Sequence, residues 1–406
     1  MERLFVVLAV VGLLATLNAL RPVVLTPLRI PGFFPGWLTA ELAPQLLLLH
    51  VVFVGLFVAG HDATPVGLVL AAATALGLVK LIVDGQRAEG VIDDAVESGL
   101  QPYGVPPKTD VSRTWPQLVT PLRVQHRDVV RVKNLSYGEF GRRNRLDVYH
   151  HRDRPPNAPV LVQIHGGAWV IGSKEQQGRP LMMHLAARGW VCVSINYRLS
   201  PRSRVPDHLI DVKRAIGWTR EHAADYGGDA DFIVVTGGSA GGHLTALAAL
   251  TANDPEYQPG FEDVDTSVRA AVPYYGVYDM TNELGTRYGR QRLESLLERM
   301  MFKAKFADDR APFDRYSPLV RAKSLAGDTK IPPFFVIHGR NDSLVPVDEA
   351  RHFVAALRAA SDAPVLYAEL PGAQHAFDIF PSLRTAHVIR GVERFLAAVH
   401  KAHASR

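Results

Sequence analysis

The sequence predicts an α/β fold in which a mostly parallel sheet of eight strands, flanked by helices, follows an N-terminal segment of transmembrane helices. Three observations support this prediction. Long apolar stretches fill the first 83 residues, apolar runs alternate with helical stretches from about residue 129 onward, and a glycine-rich turn that carries a serine joins one such run to a helix. Apolar strands that alternate with helices build a sheet that is covered on both faces.

The composition excludes several classes of protein. With 406 residues, 47% of them hydrophobic and 21% charged, the chain can bury a large core and is not disordered. The formal charge of +5 is spread without a run of basic residues, so we expect no nucleic-acid partner. Cys192 is the single cysteine, which excludes an intramolecular disulfide, and no Cys/His spacing suggests a zinc site. We expect neither metal nor cofactor, and the oligomeric state stays open.

Residues 1–83 form the predicted membrane anchor, with three candidate transmembrane helices. These are Leu4–Leu20, Ala43–Gly60 and Thr64–Val83, with 17, 18 and 20 residues. About 20 apolar residues are needed to cross a bilayer core. A cleaved signal peptide is the alternative for the first span, and a buried helical hairpin is the alternative for the other two.

The distribution of arginine predicts on which side of the membrane the rest of the chain lies. With three spans, Arg21, Arg29 and Arg87 lie on the side of the C-terminal domain, and only Arg3 lies opposite. Positive residues favour the cytoplasmic side, so a multi-pass protein with a cytoplasmic C-terminal domain is predicted. Two spans in place of three would reverse this orientation.

Residues 84–128 are predicted to be a linker. Apolar residues at Val91–Ile92 and Ala95–Val96, followed by Leu100, indicate a short amphipathic helix that could belong to a cap. Proline residues then interrupt regular structure, at Pro102, Pro106, Pro107 and Pro116.

Residues 129–406 form the predicted α/β domain, with a cap insertion around 252–330. Its expected strands are Val129–Val132, Arg145–Tyr149, Val160–Ile164, Val191–Asn196, Phe232–Thr236, Ala270–Tyr274, Phe334–His338 and Val365–Glu369. Its main expected helices are Asp207–His222, Gly241–Leu250, Val347–Ala360 and Ser382–His400.

Ser239 is the candidate nucleophile. It lies in the sequence Gly-Gly-Ser-Ala-Gly-Gly at 237–242, between the apolar run that ends at Val235 and the helical stretch that follows. Gly-x-Ser-x-Gly between a strand and a helix is typical of a nucleophile elbow, a sharp turn that exposes the serine hydroxyl beside a helix N-terminus. A structural turn and a phosphate-binding turn are the alternatives.

A second glycine-rich turn is the candidate oxyanion hole. The strand-like run at 160–164 leads directly into His165-Gly166-Gly167-Ala168-Trp169. Small residues at Gly166, Gly167 and Ala168 let backbone N–H groups approach a reacting carbonyl oxygen, and the amide of Ala240 follows the nucleophile. The alternative is a plain turn.

Asp342 and His375 complete a candidate triad with Ser239. Each follows a predicted strand, and the chain order is Ser, then Asp, then His, as the elbow arrangement requires. Asp342 would orient the imidazole of His375, which would take the proton from Ser239 and return it to the leaving group.

Residues from about 129 to 400 resemble the hormone-sensitive-lipase branch of the α/β-hydrolase esterases. The matching stretches are His165–Trp169, Asn196–Pro201, Tyr226–Asp229, Gly237–Gly242, Ser317–Leu319 and the loops that carry Asp342 and His375. Two positions depart from that branch: Ala168 replaces a common third oxyanion glycine, and Gly238 replaces a common aspartate. Both variants also resemble isoprenylcysteine methylesterases and arylformamidases, so the resemblance does not determine the acyl group.

The resemblance implies a carboxylic ester hydrolase, an esterase or lipase, that works through an acyl-enzyme on Ser239. The anchor favours hydrophobic or lipid-like esters, so the expected partners are a small-molecule or lipid ester and the bilayer. The alternatives are an isoprenylcysteine-methylesterase-like or arylformamidase-like hydrolase, and a non-catalytic ligand-binding protein of the same fold. A chain that begins near Asp84 is expected to keep hydrolysing short soluble esters, because every candidate site residue lies beyond residue 160.

Overall fold

A computed structural model describes residues 1–108, 124–325 and 331–405 of the chain. Residues 109–123 of the expected linker, which include Pro116, and the last five residues of the expected cap insertion lie outside the described residues.

An eight-stranded sheet forms the centre of the described C-terminal part. The strands are β1 (Val129–Ser136), β2 (Arg145–His151), β3 (Ala158–Ile164), β4 (Val191–Ile195), β5 (Gly228–Gly238), β6 (Ala270–Tyr274), β7 (Phe334–Gly339) and β8 (Val365–Leu370). Their order is β1-β2-β4-β3-β5-β6-β7-β8, antiparallel from β1 to β4 and parallel from there on. The prediction of a mostly parallel eight-stranded sheet is confirmed.

Helices cover both faces of the sheet. Among the described residues, four of them come before the sheet: α1 (Glu2–Leu20), α2 (Arg29–Glu41), α3 (Ala43–Ala59) and α4 (Pro65–Gly99). The helices that follow are α5 (Arg179–Ala186), α6 (Asp207–His222), α7 (Ala240–Leu250), α8 (Arg287–Arg292, continued by the π-helical Leu293–Phe302), α9 (Ala311–Arg315), α10 (Pro318–Ser324), α11 (Val347–Ala360) and α12 (Leu383–Ala404). The expected helices correspond to α6, α7, α11 and α12.

The central strands are apolar on both faces because each face carries a core. Val162 and Val235 face a cluster shared with α6, α7 and α11. Leu161, Cys192 and Val234 face a second cluster shared with α4, α5 and α12. This arrangement explains why β3 and β4 are mostly apolar, with Gln163 and Ser194 as the polar exceptions. It also brings the carboxyl ends of the parallel strands to one edge of the sheet.

The N-terminal helices form a bundle. A Cβ atom at Gly67 of α4 would lie 2.5 Å from the ring of Phe5, and one at Gly77 would lie 2.4 Å from Thr16, so glycine lets α4 run close beside α1. The α1 and α4 helices are long and apolar enough to cross a membrane. The α2–α3 pair, bent by 86°, makes a third candidate only if the pair counts as one span. Three spans were expected from the sequence, and α3 alone has 17 residues.

Helix α4 differs from the sequence prediction. It runs without a break for 35 residues, so the expected boundary at residue 83 and the separate amphipathic helix both fall inside it. Ala88, Ile92 and Val96 continue one helical face with a spacing of four residues, and the helix runs on past residue 83. That face packs into the core on the α12 side of the sheet.

Helix α2 joins the N-terminal bundle to the C-terminal domain. The side chain of Glu41 is fully buried, bonds Arg384 at the start of α12, and accepts a hydrogen bond from Ser382 Oγ at 2.7 Å. Trp37 Nε1 donates to the carbonyl oxygen of Ala376 at 2.9 Å. These contacts join α2 to the domain that carries the candidate site residues. That a chain beginning near Asp84 keeps hydrolysing short soluble esters stays a prediction.

Candidate active site

Ser239 lies in a strained turn between β5 and α7. Its φ of 59° and ψ of −121° are rare for a residue with a side chain, and its N–H donates to Tyr274 O at 3.0 Å. A Cβ atom at Gly241 would lie 2.1 Å from the carbonyl oxygen of Ile164, and one at Gly237 would lie 2.5 Å from it. The flanking glycines are therefore required by the close approach of β3, and the turn has the shape expected from the sequence.

The loop that follows β3 lies directly against this turn. A Cβ atom at Gly166 would lie 2.6 Å from Gly238 O and 3.1 Å from the Cβ of Ser239. The N–H of Gly166 donates to the side chain of Gln177 at 2.6 Å, so this amide already has a partner. Among the four amides expected to form an oxyanion hole, Gly166 differs from the expectation, because the side chain of Gln177 folds back onto it.

The next three residues turn the loop sharply. Gly167, Ala168 and Trp169 have φ values of 114°, 50° and 59°. Trp169 is buried, and its Nε1–H donates to Nδ1 of His243 at 3.2 Å, while His243 Nε2 donates to the carbonyl oxygen of Tyr316 at 2.9 Å. Burial lowers the pKa of His243 to about 3, so the ring stays neutral and can accept this bond. The indole of Trp169 thus holds the loop in its strained shape.

Asp342 and His375 lie together at the carboxyl edge of the sheet. His375 Nδ1 is 2.7 Å from Oδ2 of Asp342, and Oδ1 of Asp342 accepts the N–H groups of Leu344 and Val345 at 2.8 Å each. Burial of Asp342 opposes its ionisation, but the neighbouring His375 and its hydrogen bonds hold the pKa of Asp342 below the usual range. An ionised carboxylate in this position fixes the orientation of the imidazole.

A second histidine contacts the same carboxylate. His338 Nε2 lies 3.2 Å from Oδ2 of Asp342 and 3.0 Å from Val345 O, and its side chain is fully buried. The sequence pattern placed His338 at the end of a strand and did not indicate a role in the site. The spacing of four residues to Asp342 was the available signal.

Tyr275 connects the nucleophile turn to His375. Its ring centroid lies 4.5 Å from that of His375, and its hydroxyl would lie 2.6 Å from a Cβ atom at Gly238. The hydroxyl donates to Oδ1 of Asp378. Tyr275 has a φ of 35° and is fully buried, so its position is tightly determined. Apart from its place directly after β6, nothing in the sequence pointed to Tyr275.

The structure thus brings Ser239, Gly166, Asp342 and His375 to one edge of the sheet. Within the described ranges, Ser239 and His375 do not hydrogen-bond each other. Tyr275 lies between them, against the His375 ring and beside Gly238, the neighbour of Ser239. In unliganded enzymes such bonds are often long and tighten when substrate binds.

The N-terminal segment also reaches this site, which the sequence did not predict. The ring centroid of Phe33 lies 6.3 Å from that of His375. Asn341, the neighbour of Asp342, donates from Nδ2 to Leu20 O at 3.1 Å. The loop that carries Asp342 and the loop that carries His375 therefore both contact residues before α3.

Comparisons with known proteins agree with this architecture. A family model described as BD-FAE matches residues 146–357. Over 97% of its length the chain is 45% identical to a probable carboxylic ester hydrolase, LipM, of Mycobacterium tuberculosis, covering 93% of that protein. It is 40% identical to the esterase LipQ of the same organism, covering 91% of this chain and 85% of LipQ.

A plant relative and two solved structures complete the comparison. An isoprenylcysteine alpha-carbonyl methylesterase of Arabidopsis thaliana is 30% identical over 56% of this chain and 52% of its own length. A thermophilic esterase of Thermogutta terrifontis, solved with bound butyrate, is 28% identical with a TM-score of 0.54, covering 65% of this chain and 92% of its own. Esterase B of Lactobacillus rhamnosis, with 20% identity and a TM-score of 0.59, covers 78% of this chain and 98% of its own and shares the fold.

The fold is that of an α/β-hydrolase enzyme. The chain belongs to the carboxylic ester hydrolases of the hormone-sensitive-lipase-like branch, and it is a carboxylesterase-type hydrolase.

Proposed function

We propose that the chain hydrolyses carboxylic esters through a Ser239-His375-Asp342 triad. The observation that carries the proposal is the 2.7 Å bond between His375 and a buried Asp342, beside a serine held in a strained strand-to-helix turn. In this arrangement the other ring nitrogen of His375 is the general base. The site needs neither metal nor cofactor for this chemistry.

The reaction proceeds in two halves. Ser239 Oγ attacks the ester carbonyl as His375 takes its proton, and His375 then protonates the departing alcohol to leave an acyl-enzyme. Water, deprotonated by His375, attacks the acyl carbon and releases the acid. The amides of Gly167, Ala168 and Ala240 are the proposed donors to the oxyanion. Gly166 is not among these donors, because its own N–H bonds Gln177. Its role is to let the loop approach Ser239 closely.

The Ser239→Ala variant tests the nucleophile. We expect it to lose labelling by a fluorophosphonate probe and to hydrolyse p-nitrophenyl esters about 10⁴–10⁶-fold more slowly. Ser295→Ala, a change at an exposed serine on the π-helical segment, is the matched control and should change neither readout. Labelling of Ser239→Ala at the level of the unmodified enzyme would identify another serine as the nucleophile.

A second candidate function is hydrolysis of a prenylcysteine methyl ester, which the similarity to the plant methylesterase favours. The same triad would serve. A panel of p-nitrophenyl esters of graded chain length, N-formylkynurenine and a prenylcysteine methyl ester separates the two functions. We expect the p-nitrophenyl esters to be preferred, and a dominant rate on the methyl ester would select the second function.

We also propose that the protein is a multi-pass membrane protein that acts on hydrophobic or lipid-like esters. Two helices of sufficient length and α3, the 17-residue second member of the bent α2–α3 pair, support three spans. With three spans, Arg21, Arg29 and Arg87 lie on the side of the catalytic domain, which favours the cytoplasm. The full chain should then stay in the membrane fraction after a carbonate wash, and its release would contradict the three-span arrangement.

A further inference from the structure

Helix α2 has two different apolar faces. Phe33, Trp37 and Glu41, spaced by four residues, face the catalytic domain. The adjacent face leaves three large apolar side chains exposed in the structure, with exposed fractions of 66% for Ile30, 54% for Phe34 and 38% for Leu38. A contiguous apolar surface of this kind marks an interaction site.

The orientation of α2 indicates what covers this outer face. The axis of α2 is bent by 86° from that of α3. His50 of α3 bonds Ala71 O of α4 at 2.9 Å, and α4 runs beside α1, so these three helices form one bundle. If the bundle crosses a bilayer, α2 lies nearly in the plane of the membrane.

The level of α2 in that bilayer follows from its neighbours. Asn18, near the end of α1, donates from Nδ2 to Gly32 O at 2.6 Å, which attaches α2 to the last turn of α1. The exposed Arg21 follows this turn, and Leu20 lies beside Gly77, one turn before the half-exposed Lys80. Basic side chains at the ends of spans mark the polar boundary of the bilayer. Helix α2 therefore lies at the boundary between hydrocarbon and headgroups.

The inner face of α2 contacts the catalytic loops. Phe33 reaches the His375 ring, and Trp37 bonds the carbonyl of Ala376, the next residue. Arg29, at the start of the helix, stacks on Tyr288 of the cap at 4.1 Å. Helix α2 thus contacts the loop that carries His375 and the cap, and its other face forms the exposed apolar surface.

We propose that α2 is an interfacial helix that lies between the bilayer and the active site, and that the substrate is an ester whose acyl chain is dissolved in the membrane. Such an ester moves past the outer face of α2 and reaches Ser239 without crossing bulk water. The choice of substrate rests on the proposed hydrolase function. The position of α2 in the bilayer does not, and it is measured separately.

The position of α2 is tested by fluorescence quenching in lipid nanodiscs. The chain has one cysteine, Cys192, which is fully buried, so a single accessible thiol can be introduced on the full chain. Phe34→Cys carries a bimane label on α2, and Phe140→Cys is the matched control, since Phe140 is 51% exposed on the catalytic domain. The quencher is phosphatidylcholine with a nitroxide near the headgroup end of one acyl chain. We expect several-fold stronger quenching at position 34 than at position 140, and equal weak quenching at both positions would overturn the proposal.

The route of the substrate is tested by activity. Phe34→Asp should lower hydrolysis of a long-chain ester embedded in phosphatidylcholine vesicles about tenfold or more, because a charge at the interface weakens burial of this face. Hydrolysis of p-nitrophenyl acetate in water should stay within about twofold, and Phe140→Asp should change neither rate. Equal losses on both substrates would refute the membrane route. Full activity of Ser239→Ala together with strong quenching at position 34 would refute the catalytic proposal alone. Loss of activity in Ser239→Ala together with weak quenching at position 34 would refute the α2 proposal alone.

Discussion

The buried pair between α2 and α12 leads to a quantitative prediction. Glu41 and Arg384 have side-chain exposures of 0% and 1%, and apart from Glu41 the Arg384 guanidinium reaches Pro371 O at 3.3 Å. Glu41→Gln removes the negative charge and leaves the guanidinium buried with neutral partners. Breaking a buried ion pair from one side costs about 3–5 kcal/mol. We therefore expect the free energy of unfolding of the full chain to fall by about that amount.

The measurement is thermal and denaturant unfolding of the full chain in one detergent, with residual esterase activity as the readout. Glu97→Gln is the matched control, because Glu97 is half exposed and its contacts to Lys108 and Arg394 are 3.6 and 3.9 Å long. It should cost less than about 1 kcal/mol. The double change Glu41→Leu with Arg384→Met should recover most of the loss, since no charge stays buried. A cost for Glu41→Gln equal to that of Glu97→Gln would refute the reasoning.

Two further predictions concern the active-site region and acid stability. Gly238→Ala should cost about 1–3 kcal/mol and lower esterase activity, because its Cβ atom would lie 2.6 Å from the Tyr275 hydroxyl. Gly90→Ala, with open space around it inside helix α4, should stabilise the chain by about 0.5–1 kcal/mol and leave activity unchanged, and equal losses in both variants would contradict this. Burial lowers the pKa of three histidines to about 3 or 4, at His165, His208 and His243. The unfolded chain binds these protons below about pH 6.5 and the folded chain does not, so stability should fall from pH 6.5 to 4, by about 1.4 kcal/mol per pH unit for each histidine. His243→Gln should flatten this fall in unfolding midpoints measured between pH 7 and 5.

The sheet was predictable because a strand that is buried on both faces can be recognised from its own apolar sequence. Strands buried on both faces are apolar along most of their length, as in 160–164, where Gln163 is the exception, and in 232–235. Glycine-rich turns at their ends indicated the places of Ser239 and of the oxyanion loop. The order of Ser239, Asp342 and His375 along the chain then restricted the choice among 16 histidines.

The N-terminal part was harder to predict, because its structure depends on distant contacts. Helix α2 contains Pro31 and Pro35 as well as two glycines, all of which lower helix propensity. The contacts of Trp37 and Glu41 hold the helix in place, and each joins residues more than 300 positions apart in sequence. Local patterns do not contain such information. The same holds for Gly166, whose amide partner is a side chain eleven residues later.

The unbroken helix α4 restricts how this protein can change during evolution. Its 35 residues extend about 52 Å. One end is in register with α1 through Gly77, and the other is in register with α12 through the 2.6 Å bond of Asp93 to Arg394. A single inserted residue between these points would rotate one end against the other by about 100°. Single-residue insertions and deletions are therefore excluded from this stretch, and variation in the distance between the α1–α4 bundle and the sheet domain must arise elsewhere in the chain.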